Sequence, residues 1–111
     1  MDHLIARLRK FRDDRDWSRF HTPKDLALSV SVEAGELLEA FQWRSDSRAP
    51  DDALRRAVAD EAADVLLYLL LLCDGLGVDL AKAAGDKIDR NEERFPVETS
   101  RGVAKPEDQR T

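Results

Sequence analysis

The sequence contains few of the residues that cross-link small domains or bind transition metals. Its 111 residues include one cysteine, Cys73, and two histidines. A single cysteine excludes a disulfide framework within the chain, and the spacing of a zinc site is absent. Because Cys73 lies in an apolar run, we interpret it as a small buried residue of a protein in a reducing compartment.

Long hydrophobic runs are also missing. The most apolar segment, Val65 to Cys73, is bracketed by Asp64 and Asp74 and is far shorter than the ~20 residues that span a bilayer. The amino-terminal residues open a charged amphipathic stretch without the apolar core of a signal peptide. We therefore expect a soluble, cytoplasmic protein that does not bind membranes.

Positive charge is in deficit, with 18 lysines and arginines against 23 acidic residues and a net charge of -5. This balance argues against general binding to nucleic acid polymers, which depends on the release of counterions by basic residues. An acidic protein can still bind phosphate groups, but it then needs metal ions or a few well-placed cations.

The spacing of apolar residues predicts an all-α fold with four helices. Leu4, Leu8 and Phe11 share one face of the first helix, and Thr22 followed by Pro23 marks the start of the second. Two glycines, Gly75 and Gly77, end the third helix. The predicted helices cover about residues 2–15, 23–43, 52–76 and 79–95, with Asp79 as the plausible N-cap of the fourth.

The sequence divides into a helical domain, residues 1–96, and a polar tail, residues 97–111. The tail lacks periodicity and contains Pro106, so we expect it to be mobile and to carry no chemistry. Within the domain, the segment Val65 to Leu72 is apolar on every side. A helix that is apolar all round is buried all round, which predicts a homo-oligomeric helical bundle.

Carboxylates occupy positions where the helical pattern predicts core residues. On the second helix, the stripe Leu26, Val30, Glu33, Leu37, Ala40 contains one acid, and Glu36 lies one turn further on. On the third helix, Glu61 interrupts a similar stripe that includes Tyr68, and Asp64 follows three residues later. Gly35, inside the second helix, is consistent with close approach of a backbone or a ligand.

Acids on inward faces must be neutralised, paired or bound to metal, because an unpaired buried carboxylate is very costly. Hard divalent cations prefer oxygen ligands, and Mg²⁺ binds carboxylates together with substrate phosphates. The pattern therefore predicts a Mg²⁺ cluster. Polar residues also interrupt the inward line of the fourth helix, where Lys87 is either a phosphate ligand or a snorkelling lysine, and Asn91 follows one turn later.

The acid pairs and their surroundings resemble a known family. Glu33-Ala34-Gly35-Glu36 and Glu61-Ala62-Ala63-Asp64 resemble the paired ExxE and ExxD signature of MazG-type all-α nucleoside triphosphate pyrophosphohydrolases. The run Arg15-Asp16-Trp17-Ser18-Arg19-Phe20-His21-Thr22-Pro23-Lys24-Asp25-Leu26 is similar to the lead-in of the dCTP pyrophosphatase branch. Residues 39–43, 64–69 and 78–96 resemble other segments of the same branch. The resemblance extends over roughly residues 4–96.

The resemblance implies an enzyme that converts a nucleoside triphosphate to the monophosphate and pyrophosphate. The preferred substrate that it implies is dCTP or a related pyrimidine nucleotide. It implies that Glu33, Glu36, Glu61 and Asp64 hold Mg²⁺, and that Lys87 and Asn91 lie near the phosphates. It also implies a homodimer or homotetramer with pockets at subunit contacts. The nucleotide pocket that it implies is lined by Trp17, Ser18, Arg19, Phe20, His21, Trp43 and Tyr68.

Four features of this interpretation stay open at the level of sequence. Each tryptophan could instead belong to the core, and His21 is as consistent with helix capping as with ligand binding. The eukaryotic branch carries a histidine at the position of Leu8, so base or sugar preference is expected to differ. Glu36 is the first candidate for the base that activates water for attack on the α-phosphorus, because it borders its stripe.

Other readings remain alternatives. A hydrolase of the same superfamily could act on dUTP or phosphoribosyl-ATP, although the tryptophan-containing lead-in favours the dCTP-like branch. A ferritin-like di-iron protein is also helical and rich in carboxylates, but it requires Glu-x-x-His pairs that are absent here. A non-catalytic helical interaction protein would leave the inward acids unexplained.

Overall fold

The computed structural model of the chain describes residues 1–103. This part is all-helical and has no strand, which confirms the predicted all-α class. None of its helices is long and apolar enough to cross a membrane. The helices are α1 (Asp2–Asp14), α2 (Pro23–Glu39), α3 (Asp52–Gly75), α4 (Leu80–Arg94) and α5 (Val97–Ser100), with a 3-10 helix (Ser18–Phe20) between α1 and α2.

The start of α2 follows from its sequence. The Thr22 hydroxyl accepts a hydrogen bond from the Asp25 amide at 3.2 Å, and Pro23 occupies the first turn. Proline is favoured there because the first amides of a helix have no partner within it. The predicted amino-terminal cap of α2 is therefore confirmed.

The predicted end of α2 at Trp43 is wrong. The helix ends at Glu39, and the following residues form short turns in which the amide of Phe41 donates to Leu38 O at 3.0 Å. Trp43 has a φ of +68°. A bulky residue in this left-handed conformation cannot continue a right-handed helix, so the backbone turns away before the loop to α3.

Both ends of α3 carry local signals. Asp51 is the N-cap, and its carboxylate accepts from the Leu54 amide at 2.9 Å. The helix ends at Gly75, and Gly77 has a φ of +69°, which glycine adopts without a steric penalty. The structure thus confirms that glycines terminate this helix.

The structure separates the chain into two compact units. In the first, Met1–Val78, helices α2 and α3 pack against each other and α1 contacts α3. Its core is small: Leu26, Leu70 and Leu71 are buried, at 4%, 2% and 8% exposure. Most of the apolar segment of α3 is therefore only partly covered within the first unit.

Ion pairs also link α1 to the end of α3. Arg9 Nε donates to Asp74 Oδ1 at 2.8 Å, and Arg12 Nη1 donates to Asp74 Oδ2 at 3.4 Å. The hydrogen bond from Arg9 and its charge, together with Arg12, hold the pKa of Asp74 below its ordinary value. These contacts fix the position of α1 along α3.

The second unit begins at Asp79, whose carboxylate accepts from the Lys82 amide at 3.0 Å and caps α4 as predicted. The sequence assigned residues from Val97 onward to a tail, whereas the structure contains the one-turn helix α5 directly after Pro96. The rest of the predicted mobile tail, residues 104–111 with Pro106, lies outside the described residues.

The cap of α2 should have a measurable effect on stability. We expect Thr22→Ala to lower the free energy of unfolding by about 1 kcal/mol, because the Asp25 amide loses its acceptor. Thr22→Ser keeps the hydroxyl and is the matched control. Urea denaturation monitored by circular dichroism measures both variants, and equal stabilities of the two would contradict the cap.

Candidate metal centre

The acid-bearing stripes face inward, as their spacing predicts. On α2, Leu26 is buried and Glu33 and Glu36 are partly buried, whereas Ala34 and Gly35 between them are exposed. On α3, the partly buried residues are Glu61, Asp64 and Tyr68, and the two alanines between the acids are exposed. Because α2 and α3 pack against each other, the two sets of carboxylates meet.

Three carboxylates converge at this contact. One oxygen each of Glu33, Glu61 and Asp64 lies within 4.8 Å of the others. Glu33 Oε2 and Glu61 Oε2 are buried, and neither has a hydrogen-bond partner among residues 1–103. A buried acceptor without a donor requires an explanation such as a bound ion.

Burial and the nearby negative charges make the carboxyl groups of Glu33 and Glu61 harder to ionise. The pKa of Glu33 is raised to about 7, first by burial and then by hydrogen bonding to Glu36 and by the nearby negative charges. Burial likewise raises the pKa of Glu61, and Glu36 is again the main interacting neighbour. Glu36 therefore belongs to the same electrostatic cluster, although it is not one of the three residues whose oxygens converge.

The donor set fits a hard divalent cation. All three converging ligands are carboxylate oxygens, which suit Mg²⁺, Ca²⁺ or Mn²⁺. Zinc and di-iron sites normally include histidine or cysteine, and this cluster contains neither. A bound cation would supply partners for the unpaired oxygens and relieve the repulsion that raises the two pKa values.

A cavity adjoins the cluster. Its volume is about 240 Å³, and Asp64 belongs both to the cavity wall and to the cluster. The wall is formed by α1, by α3 and by the segment between α1 and α2. Its lining residues are Leu8, Phe11, Arg12, Trp17, His21, Asp64, Leu67, Tyr68 and Leu71. A molecule in this cavity would have one end at the acids and its body against aromatic and apolar side chains.

Comparison with known sequences identifies the family. The model of the MazG-like family matches residues 28–108, which include both acid pairs and most of the helical region. The chain belongs to the MazG-like family. The family resemblance drawn from the acid motifs is thereby confirmed.

Individual relatives agree with this assignment. The MazG-like chain is 43% identical to dCTP pyrophosphatase 1 of Rattus norvegicus over 99 residues, and 37% identical to that of Homo sapiens over 100 residues. Both alignments cover 86% of this chain but only 58% and 59% of the relatives, so the chain spans less than two thirds of their length.

A solved structure is similar as well. The crystal structure of a pyrophosphatase from Archaeoglobus fulgidus matches with a TM-score of 0.74 and 43% identity. The match covers 86% of this MazG-like chain and 92% of the archaeal one. The all-helical arrangement found here is therefore shared over nearly the whole length of a structure determined by experiment.

The structure brings three predicted pocket residues together. Trp17, His21 and Tyr68 line the cavity, and the Trp17 ring packs edge-on against Phe11 with ring centroids 5.6 Å apart. His21 Nδ1 is buried and has no hydrogen-bond partner within the described part of the chain. This nitrogen is available to a ligand, which favours the ligand reading of His21 over the capping one.

The other predicted pocket residues lie elsewhere. Ser18, Arg19 and Phe20 are exposed and do not line the cavity, and Trp43 is 93% exposed in the turn after α2. Trp43 lies beyond the end of α2 in a left-handed backbone conformation, and its indole is exposed. Lys87 and Asn91 are partly buried on α4 in the second unit, and their position near the phosphates stays a prediction.

Several lining residues were missed as site residues. Phe11 belongs to the apolar stripe of α1, and Leu67 and Leu71 to an apolar run, and nothing in their type distinguishes a cavity wall from a core. Leu8 shares that stripe, and only the family resemblance associates its position with the nucleotide. The sequence does contain a signal for Arg12. It lies four residues after Leu8, so a charge borders an apolar stripe there, as Glu33 interrupts the stripe of α2.

The raised pKa values predict how the stability of the metal-free protein changes with pH. Between the ordinary pKa of glutamate, 4.5, and about 7, the folded protein holds a proton on Glu33 that the unfolded chain releases. Stability should therefore fall as pH rises through this window. Thermal unfolding in the presence of a chelator measures it.

We expect Glu33→Gln to flatten this dependence, because glutamine cannot ionise. Glu39→Gln is the matched control, since Glu39 is an exposed residue of the same helix outside the cluster. A melting temperature that is constant or rises between pH 5 and pH 8 in the unmodified protein would contradict the buried cluster.

Proposed function

We propose that this chain is a Mg²⁺-dependent nucleotide pyrophosphohydrolase that converts dCTP, or a related pyrimidine triphosphate, to the monophosphate and pyrophosphate. The observation that carries this proposal is the carboxylate cluster beside an aromatic-lined cavity, with Asp64 common to both. The identity of 37–43% to relatives named dCTP pyrophosphatase 1 supports the substrate. Such an activity would regulate the nucleotide pool of the cytoplasm.

The three converging carboxylates, Glu33, Glu61 and Asp64, would hold the metal. Bound Mg²⁺ would neutralise the triphosphate and polarise its phosphorus–oxygen bonds. The buried oxygens Glu33 Oε2 and Glu61 Oε2 support this assignment. Neither accepts a hydrogen bond from any described residue, and a bound cation would supply the missing partner.

Glu36 would act as the general base. It interacts with both Glu33 and Glu61, but its carboxylate is not one of the three whose oxygens converge. A carboxylate beside the metal ligands can accept a proton from water. The water then attacks the α-phosphorus, the bond to the oxygen that bridges to the β-phosphorus breaks, and pyrophosphate leaves.

The cavity would receive the nucleoside. Trp17 and Tyr68 offer aromatic surfaces for a base, and His21 Nδ1 offers a hydrogen-bonding atom without a partner in the described chain. We assign Lys87 and Asn91 to the phosphates on the family resemblance alone. Ser18, Arg19 and Phe20 belong to the same lead-in segment and would contact the nucleotide from outside the cavity.

The chain would function as a homodimer or homotetramer. A second apolar stripe, Leu28, Val32, Gly35 and Leu38, runs along the exposed side of α2. Apart from the backbone of its own helix and its chain neighbours, no atom of the described residues lies within 4 Å of a Cβ added at Gly35, so the close approach expected there would come from a second copy. The exposed Trp43, just beyond this stripe, would then reach the pocket of a neighbouring subunit.

Product analysis tests the reaction. We expect pyrophosphate and dCMP in equal amounts from dCTP with Mg²⁺, and loss of at least 100-fold in kcat for Glu61→Gln, because glutamine removes a charged ligand but keeps the shape. Asp52→Asn, an exposed position on the same helix, should retain activity. Release of orthophosphate without pyrophosphate would contradict attack at the α-phosphorus.

The oligomer can be tested separately. We expect Leu38→Glu to lower the sedimentation mass to that of one chain, because Leu38 is 72% exposed here and a charge at a subunit contact would lose hydration. Leu38→Met should keep the larger mass. The separated subunits should also show a raised KM, since each pocket would lose the Trp43 of its neighbour. A monomeric unmodified protein at micromolar concentration would refute this assembly.

A further inference from the structure

An arginine forms part of the cavity wall. Arg12 lies on α1 between the lining residues Phe11 and Trp17, and its side chain is only 17% exposed. A guanidinium carries five hydrogen-bond donors and no acceptor. The guanidinium is thus a donor-only group held mostly out of solvent in the wall of the cavity.

Two carboxylates hold this guanidinium in place. Arg12 Nε donates to Asp13 Oδ1 at 2.9 Å, and Nη1 donates to Asp74 Oδ2 at 3.4 Å. Nη2 has no hydrogen-bond partner within residues 1–103. The guanidinium is thus fixed on one side, with donors left over for a molecule in the cavity.

The guanidinium lies at the end of the cavity remote from the acids. It is bound to Asp74, which follows Asp64 by ten residues on α3, a separation of about 15 Å along a helix that rises 1.5 Å per residue. The lining residues Leu67 and Leu71 lie between them. Arg12 and the acid cluster therefore lie toward opposite ends of the cavity, which leaves a nucleoside room to lie between them.

Charge balance also disfavours a phosphate at Arg12. The two cations Arg9 and Arg12 are compensated by the two anions Asp13 and Asp74. An additional anion would meet a site without net positive charge. A neutral acceptor such as a carbonyl oxygen or a ring nitrogen meets no such penalty, and it matches a group that only donates.

We propose that Arg12 recognises the base by donating to two adjacent acceptors, O2 and N3 of cytosine. This inference rests on the proposed function and names the residue that sets its base preference. In uracil and thymine N3 carries a hydrogen, so two donors would face each other at that edge. The forked guanidinium therefore favours cytosine, as bidentate contacts of arginine do when they discriminate among bases elsewhere.

A comparison of Arg12→Gln with Arg9→Gln tests the proposal. Asp74 pairs with both arginines, so each variant removes one of its two partners and keeps the other. Only Arg12 also lines the cavity. We expect Arg12→Gln to raise the KM for dCTP about tenfold with little change in kcat, and to reduce the preference for dCTP over dUTP. Arg9→Gln should leave the preference unchanged, with thermal unfolding confirming that both variants fold.

Arg12→Lys provides a second discrimination. Lysine can still pair with Asp74 but cannot donate in a fork, so it should lose the dCTP preference as glutamine does. Equal effects of the Arg9 and Arg12 variants, or an unchanged preference in Arg12→Gln, would overturn the proposal and leave Arg12 a purely structural residue.

Binding measurements distinguish this failure from failure of the proposed function. Fluorescence of Trp17, which lines the same cavity, reports the binding of dCMP and dUMP without turnover. If the unmodified protein hydrolyses no nucleoside triphosphate, the proposed function fails. A preference for dCMP that is lost in Arg12→Gln would still support Arg12 as the base contact, and unchanged binding in that variant would overturn it.

Discussion

The proposed metal site and its function depend on the repulsion among the carboxylates that lie between α2 and α3. Two helices that form much of the first unit place Glu33, Glu61 and Asp64 where their oxygens converge. Apolar residues at these positions would enlarge a core in which only three side chains are buried. The metal-free protein therefore gives up stability at this contact, a pattern typical of functional sites.

The cavity beside the cluster indicates how a bound ligand would be oriented. Asp64 belongs to both, so a ligand bound in the cavity would have one end at the acids. From there α3 leads past Tyr68 and the apolar residues to Asp74, which anchors Arg12. A single helix thus supports the proposed phosphate end and the proposed base end, and the salt bridges of Asp74 hold α1 in register with it.

The periodicity of the sequence predicted much of this arrangement. Stripes such as Leu26, Val30, Glu33 turned inward because burial follows the 3.6-residue period, and the caps at Thr22 and Asp79 formed because their side chains accept helix amides. Local signals of this kind depend on few neighbours. The same reasoning located the acids, since a charge on an apolar stripe is conspicuous in the sequence.

Features set by tertiary contacts were not predictable in this way. The end of α2 at Glu39 and the left-handed backbone at Trp43 are not indicated by any residue in that segment. The cavity wall joins α1 to α3, and an apolar residue such as Leu71 has the same pattern whether it lines a cavity or a core. The role proposed for Arg12 depends in part on Asp74, which lies 62 residues away in the sequence.

The most direct test of the account is calorimetric titration of the metal-free protein with Mg²⁺ at pH 8, where competition from protons is weak. We expect saturable binding in the unmodified protein, strong weakening in Glu33→Gln and Glu61→Gln, and no change in Glu39→Gln. Binding that is equal in all four proteins would show that the carboxylates between α2 and α3 are not a metal site, and the central claim would be wrong.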